Sequence, residues 1–508
     1  MIRRVEMYIR NEDTICAPAT VPGSGAISVI RVSGADAHSI ADKVIRCRKG
    51  CICNAPGYTI RFGTVSDEAG TLVDEVLVSI FKAPHSYTGE NSVEISCHAS
   101  TYIVSTLLEL LYNAGARAAE PGEFTQRAYL NGKMDLAQAE AVADVIASQN
   151  AAAHRIAFKQ MKGGFSDELR SMRGELLELV SLMELELDFS EEEVEFADRS
   201  RLDELLVEIT SHVSRLIDSF RLGNAIKNGV PVAIAGATNT GKSTLLNALL
   251  GEDRAIVSDV HGTTRDTIEE TLNIDGILFR FIDTAGIRQT SEIVEKIGIE
   301  RTLKKITEAS IVLGMIDLTR DIESTSQTIS EILEKVDFEC QKLMILLNKS
   351  DISDPNKNVI ITNTIVSVFN NKGIKAELTS TEEDQSEYKA KHRITDKSTV
   401  LQPAVPLISI SAKTGTGINT LRSLLAASQR DLLGDSDTTL VTNQRHVQAL
   451  TDARTSLLRV RDGLASGLPT DLAAQDIREA IYHLGSIVGE ISTDEVLGNI
   501  FRNFCIGK

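Results

Sequence analysis

Eight consecutive residues carry the clearest chemistry in the chain: Gly236-Ala237-Thr238-Asn239-Thr240-Gly241-Lys242-Ser243. Glycines in such a run let the backbone curl until successive N–H groups point at one anion. An ammonium like that of Lys242 then neutralises charge on a β- or γ-phosphate, and a hydroxyl like that of Ser243 ligates Mg²⁺. The run follows the apolar strand pattern of Val230–Ala235 and opens the helical pattern of Thr244–Leu250, the context this chemistry requires. A glycine turn ahead of a helix would account for the glycines alone, but not for Gly-Lys-Ser at this spacing after a strand.

Three further strings sit at the ends of apolar strands, where open α/β sheets bind ligands. Asp283-Thr284-Ala285-Gly286 follows Ile277–Ile282, Asn348-Lys349-Ser350-Asp351 follows Leu343–Leu347, and Ser411-Ala412-Lys413 follows Leu407–Ile410. Asp283 is placed to hold the Mg²⁺ shell through water and the Gly286 N–H to sense a γ-phosphate. Asp351 offers a carboxylate to the N1–H and N2–H₂ donors of guanine, a pattern adenine lacks, so the base choice is GTP over ATP. Ser411, Ala412 and Lys413 complete the base pocket. Between the first two strings, Ser258 to Asp266 is a polar loop of switch length, with Thr264 as a second Mg²⁺ hydroxyl. Four such strings in this order resemble the Ras-like, translation-factor-related GTPases. One position departs: Ile287 stands where those enzymes carry the glutamine that orients water. The missing positive charge and water-positioning group must then come from an ion, another side chain or a partner.

The surrounding elements divide the chain. Asp13 to about Ala118 alternates short β-branched runs (Ala26–Val32, Tyr58–Phe62, Glu75–Phe81, Val93–Ile95) with a helical stretch at Ser100–Asn113, an α+β pattern. Past Glu120-Pro121-Gly122 the period becomes helical, and Leu169, Met172, Leu176, Leu179, Met183 and Leu187 form one apolar stripe that wants partner helices. A βα alternation runs from Val230 past Ser411, and helical pattern returns after Gln429. The fold expected is multidomain α/β: an N-terminal α+β domain (1–119), a helical bundle in two parts (120–224 and 431–508), and an inserted Ras-like P-loop G domain (225–430). Pro355 to Pro403 fits the βα alternation poorly and is expected to be a partly disordered surface insertion.

Composition bounds the partners. The length, 508 residues, suits roughly three domains at ~150 each. A net charge of −18 repels phosphate on average, so non-specific nucleic-acid binding is disfavoured. Seven cysteines, an odd and sparse count, read as reduced thiols. No apolar window approaches ~18 residues and no secretory leader is seen at the start, so a cytoplasmic location without membrane contact is expected. Cys47, Cys51 and Cys53 lack a second ligand pair, and no metal is placed there. The acids from Glu184 to Glu195 read as a solvated helix end and turn.

Long strings then point to a single family. Asp13-Thr14-Ile15, Ser86 to Glu90, Pro121 to Thr125, Leu130 to Glu140, Gly262 to Asp266, Ile297 to Arg301 and Phe504 to Lys508 together resemble the tRNA modification GTPase family MnmE, also called TrmE. The likeness spans the chain apart from its first dozen residues and 355–403. It implies a homodimer joined through the N-terminal domains, working in a heterotetramer with the flavoprotein MnmG, which carries FAD. Such complexes install an aminomethyl or carboxymethylaminomethyl group at C5 of the wobble uridine of certain tRNAs, with a folate one-carbon unit. The family's 5-formyltetrahydrofolate contacts fall on Arg31, Glu94, Lys133 and Lys508. Its K⁺ site falls on Asn239, Ser258, Val260 and Thr263, filling the charge gap, and its water-orienting glutamate falls on Glu295. GTP contacts are implied at Asn239 to Thr244, Ser258, Thr263, Thr264, Asp283 to Gly286, Asn348, Lys349, Asp351 and Ser411 to Lys413. The turn Val21 to Ala26 departs from the family's Pro-Pro-Gly-x-Gly-Gly. Cys505 keeps the family's terminal cysteine, for which a structural role is as good a reading as a nucleophilic one. Two other classes compete: a regulatory GTPase docking on the ribosome, for which an appended KH-type RNA module is wanting, and a folate-binding scaffold with a decayed G domain, against which Gly241, Lys242, Ser243 and Asp283 argue.

Overall fold

The structure is a computed structural model of the chain. It describes residues 13–23, 25–188, 199–251, 270–282, 307, 309–338, 340–379, 404–429, 439–466, 470–491, 494–502, 504 and 507. Contacts divide the chain into two compact units, one of residues 1–147, 156–217 and 444–508, the other of 148–155 and 218–443.

The first unit begins with β1 (Ile15–Pro18), β2 (Ile27–Ser33), α1 (Ala37–Val44), β3 (Ile45–Cys47), β4 (Thr59–Ser66), β5 (Leu72–Phe81), β6 (Ser92–His98), α2 (Thr101–Asn113) and β7 (Arg117–Ala118). The strands form one sheet in the order β3-β4-β5-β6-β2-β1-β7, antiparallel except where β7 runs beside β1. Strand periodicity sets its two faces: Val76, Val78 and Ile80 of β5 point inward with Val93 and Ile95 of β6, while Glu75 and Leu77 point out. The inward set meets Ile40 and Ala41 of α1 and Leu107 and Leu111 of α2. Each such fully buried aliphatic side chain contributes about 1.5–3 kcal/mol.

Helices follow: α3 (Glu123–Leu130), α4 (Leu136–Ala147), α5 (Ala151–Met161), α6 (Gly164–Asp188) and α7 (Arg199–Asn228). The apolar stripe lies along α6, with Leu169, Met172, Leu176, Leu179 and Met183 all buried; the Leu187 side chain lies outside the described residues. Its partner is a helix from the far end of the sequence.

The second unit holds a parallel sheet. Its elements are β8 (Val230–Ala235), α8 (Lys242–Leu250), β9 (Glu270–Ile274), β10 (Ile277–Phe281), β11 (Ile311–Asp317), α9 (Ile322–Leu333), β12 (Lys342–Asn348), α10 (Pro355–Asn371), β13 (Ala376–Leu378), β14 (Val405–Ser409) and α11 (Ile418–Ser428). The strand order is β13-β14-β12-β11-β8-β10-β9, with only the β9–β10 hairpin antiparallel. β11 is buried at every position, as an apolar run covered on both faces must be. The last helices, α12 (Gln444–Ala465), α13 (Thr470–Val488) and α14 (Asp494–Phe501), belong to the first unit, where α13 packs on both α12 and α6.

The surface insertion expected over 355–403 is corrected in its first part. Residues 355–371 form α10, capped by the Asp354 side chain on the Asn356 N–H, with Pro355 in its first turn. Ile361, Ile365 and Phe369, four residues apart, are fully buried in the sheet's core, and residues 376–378 add a parallel strand beside β14. The β-branched run Val359–Val366 suggests strand by local propensity, but the cap and the four-residue apolar spacing override that weak preference. Residues 380–403 lie outside the described residues; of the acidic run from Glu184 to Glu195, residues 184–188 end α6 and 189–195 lie outside the described residues.

Candidate nucleotide and one-carbon sites

β8 ends at Ala235, and the chain turns through 236–241 to the N-terminus of α8, where Gly241 is the cap. Two glycines are obligatory here. Gly236 has φ +155° and a Cβ on it would lie 2.5 Å from the Met315 carbonyl oxygen; Gly241 has φ +99° and a Cβ would lie 2.5 Å from Nδ2 of Asn348. Asn239 takes the left-handed region without being glycine, at φ +59°. Thr240 is buried and its hydroxyl donates to the Ala237 carbonyl at 2.9 Å. The Lys242 ammonium donates to the carbonyls of Gly236 (2.7 Å) and Ala237 (3.0 Å). Burial, and then the nearby Arg320 guanidinium, pull the Lys242 pKa below its ordinary value. A desolvated ammonium drawn onto the loop carbonyls at a helix N-terminus is a phosphate-binding arrangement, and Ser243 and Thr244 occupy the first turn of that helix.

The strings at the ends of β12 and β14 meet the loop. Asn348 is 3% exposed; its Nδ2 donates to the Thr240 carbonyl at 2.7 Å and its Oδ1 accepts the Ala412 N–H at 2.9 Å. It therefore joins the phosphate loop to the 411–413 turn, and both ends of its amide are already engaged. Lys349, at φ +66°, donates to Oδ2 of Asp317 at 2.7 Å. Burial pushes the Asp317 carboxyl up, but the bonds from Lys349 and from the Thr319 hydroxyl and N–H outweigh it and hold the group below the usual range. Ser411 is buried and its hydroxyl accepts the Thr414 N–H, which tightens the turn carrying Ala412 and Lys413. Asp351 is exposed at this rim. Sequence reasoning missed Asp317 and Arg320; the available signal was an acid closing the otherwise apolar β11 at its ligand-side end. The calls at Ser258, Val260, Thr263, Thr264, Asp283, Thr284, Ala285, Gly286 and Glu295, with the departure at Ile287, lie outside the described residues.

In the first unit, Arg31 of β2 and Glu94 of β6 are direct cross-strand neighbours. The guanidinium donates to Oε1 of Glu94 from Nη2 (2.8 Å) and Nε (3.0 Å), and lies over the rings of Tyr87 (5.1 Å) and Phe124 (5.6 Å). Lys133 donates to the Pro84 carbonyl at 3.0 Å, so the stretch 84–90 holds Lys133 at one end and places Tyr87 against Arg31. The Arg31–Glu94 pair thus sits against an aromatic wall of Tyr87 and Phe124. Lys508 and Cys505 lie outside the described residues, though Gly507 packs directly on Pro18 and Ala19 at the end of β1. No group of three or more metal-ligating side chains is found among the described residues.

The strand order with β8 near its centre, the phosphate loop at the start of α8 and the Asn348–Asp351 motif beside it define a P-loop GTPase domain of the Ras-like class. Comparisons narrow the class. Residues 136–505 match the model of the MnmE helical domain, and residues 14–133 that of the GTP-binding protein TrmE N-terminus. The chain is 50% identical over 499 residues to the tRNA modification GTPase MnmE of Parabacteroides distasonis, covering 97% of this chain and 100% of that one. It is 48% identical over 502 residues to the protein of the same name from Bacteroides thetaiotaomicron, at 98% and 100% coverage. The chain belongs to the MnmE family of tRNA modification GTPases. Among solved structures it is similar to Aquifex aeolicus Era bound to GDP and AlF₄⁻ (22% identity, 45% of this chain and 66% of that one, TM-score 0.24). It is also similar to the FeoB G-domain of Methanococcus jannaschii (21%, 40% and 98%, TM-score 0.22). No helix among the described residues is long and apolar enough to cross a membrane.

Proposed function

We propose that this chain hydrolyses GTP with stimulation by K⁺ and, with an MnmG-type flavoprotein, drives addition of an aminomethyl or carboxymethylaminomethyl group to C5 of tRNA wobble uridines. The observation that carries the reading is the phosphate loop itself, in which Lys242 caps its own loop carbonyls and has no carboxylate partner among the described residues. An arriving polyphosphate offers this desolvated ammonium better acceptors than two neutral carbonyls, so Lys242 transfers its bonds to β- and γ-oxygens. The N–H groups at the start of α8 bind the same oxygens. The Ser243 hydroxyl and, across the switch, Thr264 would hold Mg²⁺, which supplies charge neutralisation at the transferring phosphoryl group. Hard oxygen donors suit K⁺, and the Asn239 amide is one, with Ser258, Val260 and Thr263 completing the set in this reading. Glu295 orients the water, and Asp351 selects guanine.

Homodimerisation and folate binding are assigned to residues 1–119, with Arg31, Glu94, Lys133 and Lys508 as the folate contacts. Residues 120–224 and 431–508 form the helical domain around a G domain at 225–430. FAD resides on the partner, tRNA enters through the complex, and the setting is the cytoplasm. Family membership at this identity, and the Arg31–Glu94 pair against an aromatic wall, support these assignments. The test is mass spectrometry of wobble uridines from cells lacking this protein, rescued by the intact chain or by Lys242→Ala. Loss of the C5 substituent, restored only by the intact chain, is expected; unchanged modification in the deletion strain refutes the proposal.

A further inference from the structure

Asn239 is held from both sides. The carbonyl of the residue after it, Thr240, accepts the Asn348 amide at 2.7 Å. The carbonyl of the residue before it, Thr238, accepts Nη2 of Arg320. Between the two pinned carbonyls, Asn239 adopts φ +59°, a left-handed turn that asparagine accepts more readily than most residues and that the two flanking bonds hold in place. Arg320 is itself anchored. It lies between β11 and α9, in a turn fixed by Thr319 on Oδ1 of Asp317 and by the Lys357 ammonium on the Thr319 carbonyl at 2.8 Å. Its Nε is 4.0 Å from Oδ2 of Asp317, the oxygen that also takes Lys349.

We infer that Arg320 is a positioning residue for GTP hydrolysis: its bond to the Thr238 carbonyl holds the Asn239 turn in the geometry that the hydrolytic step uses. Nucleotide affinity rests mainly on Lys242, the loop N–H groups and the base motif, none of which Arg320 replaces. Loss of Arg320 therefore acts on turnover more than on binding. The link to potassium rests on the function proposed above, through the Asn239 amide; the link to loop geometry does not.

The experiment compares the full chain with Arg320→Gln and Arg320→Lys. Three quantities are read: single-turnover GTP hydrolysis in KCl, affinity for a fluorescent N-methylanthraniloyl GDP, and amide hydrogen exchange of the peptide spanning 236–243 in the GDP complex. Losing one charge-assisted hydrogen bond predicts a roughly 5- to 20-fold slower hydrolytic step for Arg320→Gln. GDP affinity is expected to stay within about threefold, and loop exchange to quicken. Arg320→Lys keeps a donor and recovers much of the rate. Hydrolysis and exchange equal to the intact chain overturn the assignment, as does a parallel fall in rate and GDP affinity, or a lysine variant no better than glutamine. If the intact chain turns over equally in KCl and NaCl, the potassium reading fails while exchange and the rate-against-affinity split still decide the role of Arg320.

Discussion

Two cations in this molecule, Arg127 fully buried and Lys242 half-buried, do opposite things. Arg127 on α3 is 2% exposed and surrounded by acceptors: Asp13 through Oδ1 (2.7 Å) and its carbonyl (2.8 Å), Glu123 (3.0 Å) and Glu90 (3.3 Å). Lys242 on α8 has only two neutral carbonyls and, among the described residues, no carboxylate. A compensated charge fastens elements together, whereas a desolvated cation facing dipoles alone is held ready for an anion. Glu140 belongs with Arg127: Arg445 binds it through Nε and Nη2 at 3.0 Å each, and Nε2 of His446 is 2.7 Å from Oε2. The same arginine caps the end of α13 through the carbonyls of Ser486 (2.8 Å) and Ile487 (2.9 Å), tying α4, α12 and α13 at one point.

Removing a compensated cation should break the fold. Arg127→Met leaves Asp13, Glu123 and Glu90 partly unpaired, and chemical denaturation is expected to show a loss of about 3–5 kcal/mol. Lys242→Ala should do the reverse. GTP turnover falls by about 100-fold or more, roughly 3 kcal/mol of transition-state stabilisation, while the unfolding midpoint holds or rises. A Lys242→Ala chain that unfolds as readily as Arg127→Met would erase the distinction.

Acid sharpens it further. Burial alone would raise the Glu140 carboxyl, but His446 and Arg445 override it and bring the pKa down to about 2. A carboxylate lowered in the folded state contributes stability that is present above its unfolded pKa, near 4.5, and is lost as pH falls from there toward 2. The contribution is on the order of 3 kcal/mol, and Glu140→Gln should flatten that limb of the stability-against-pH curve. The smallest effect concerns the base. Asp351→Asn exchanges a double acceptor for an amide, so GTP use should fall by about 10- to 100-fold and xanthosine triphosphate use should rise, measured as kcat/KM for each.

Local spacing made the phosphate loop and base motif legible, because their chemistry depends on neighbours within eight residues of a strand end. The sheet strands were legible for the same reason, through their apolar runs. Arg320 was not, since its partner Thr238 lies 82 positions away and only the β8–β11 pairing brings their loops together. Asp317 likewise has meaning only through Lys349 across β12. Residues 355–371 read as insertion because the β-branched side chains of 359–366 disfavour helix locally, while burial of Ile361, Ile365 and Phe369 decides for helix. Arg31 and Glu94 read singly as surface charges; the register that sets them opposite each other is a property of the whole sheet.

GTP turnover of the purified full chain, measured side by side in KCl and NaCl with Asn239→Ala as the paired variant, isolates the proposed dependence of hydrolysis on potassium. Hydrolysis at least about tenfold faster in KCl is expected, an advantage that disappears in the variant. Equal rates in the two salts, or an undiminished potassium advantage without the Asn239 amide, would contradict it.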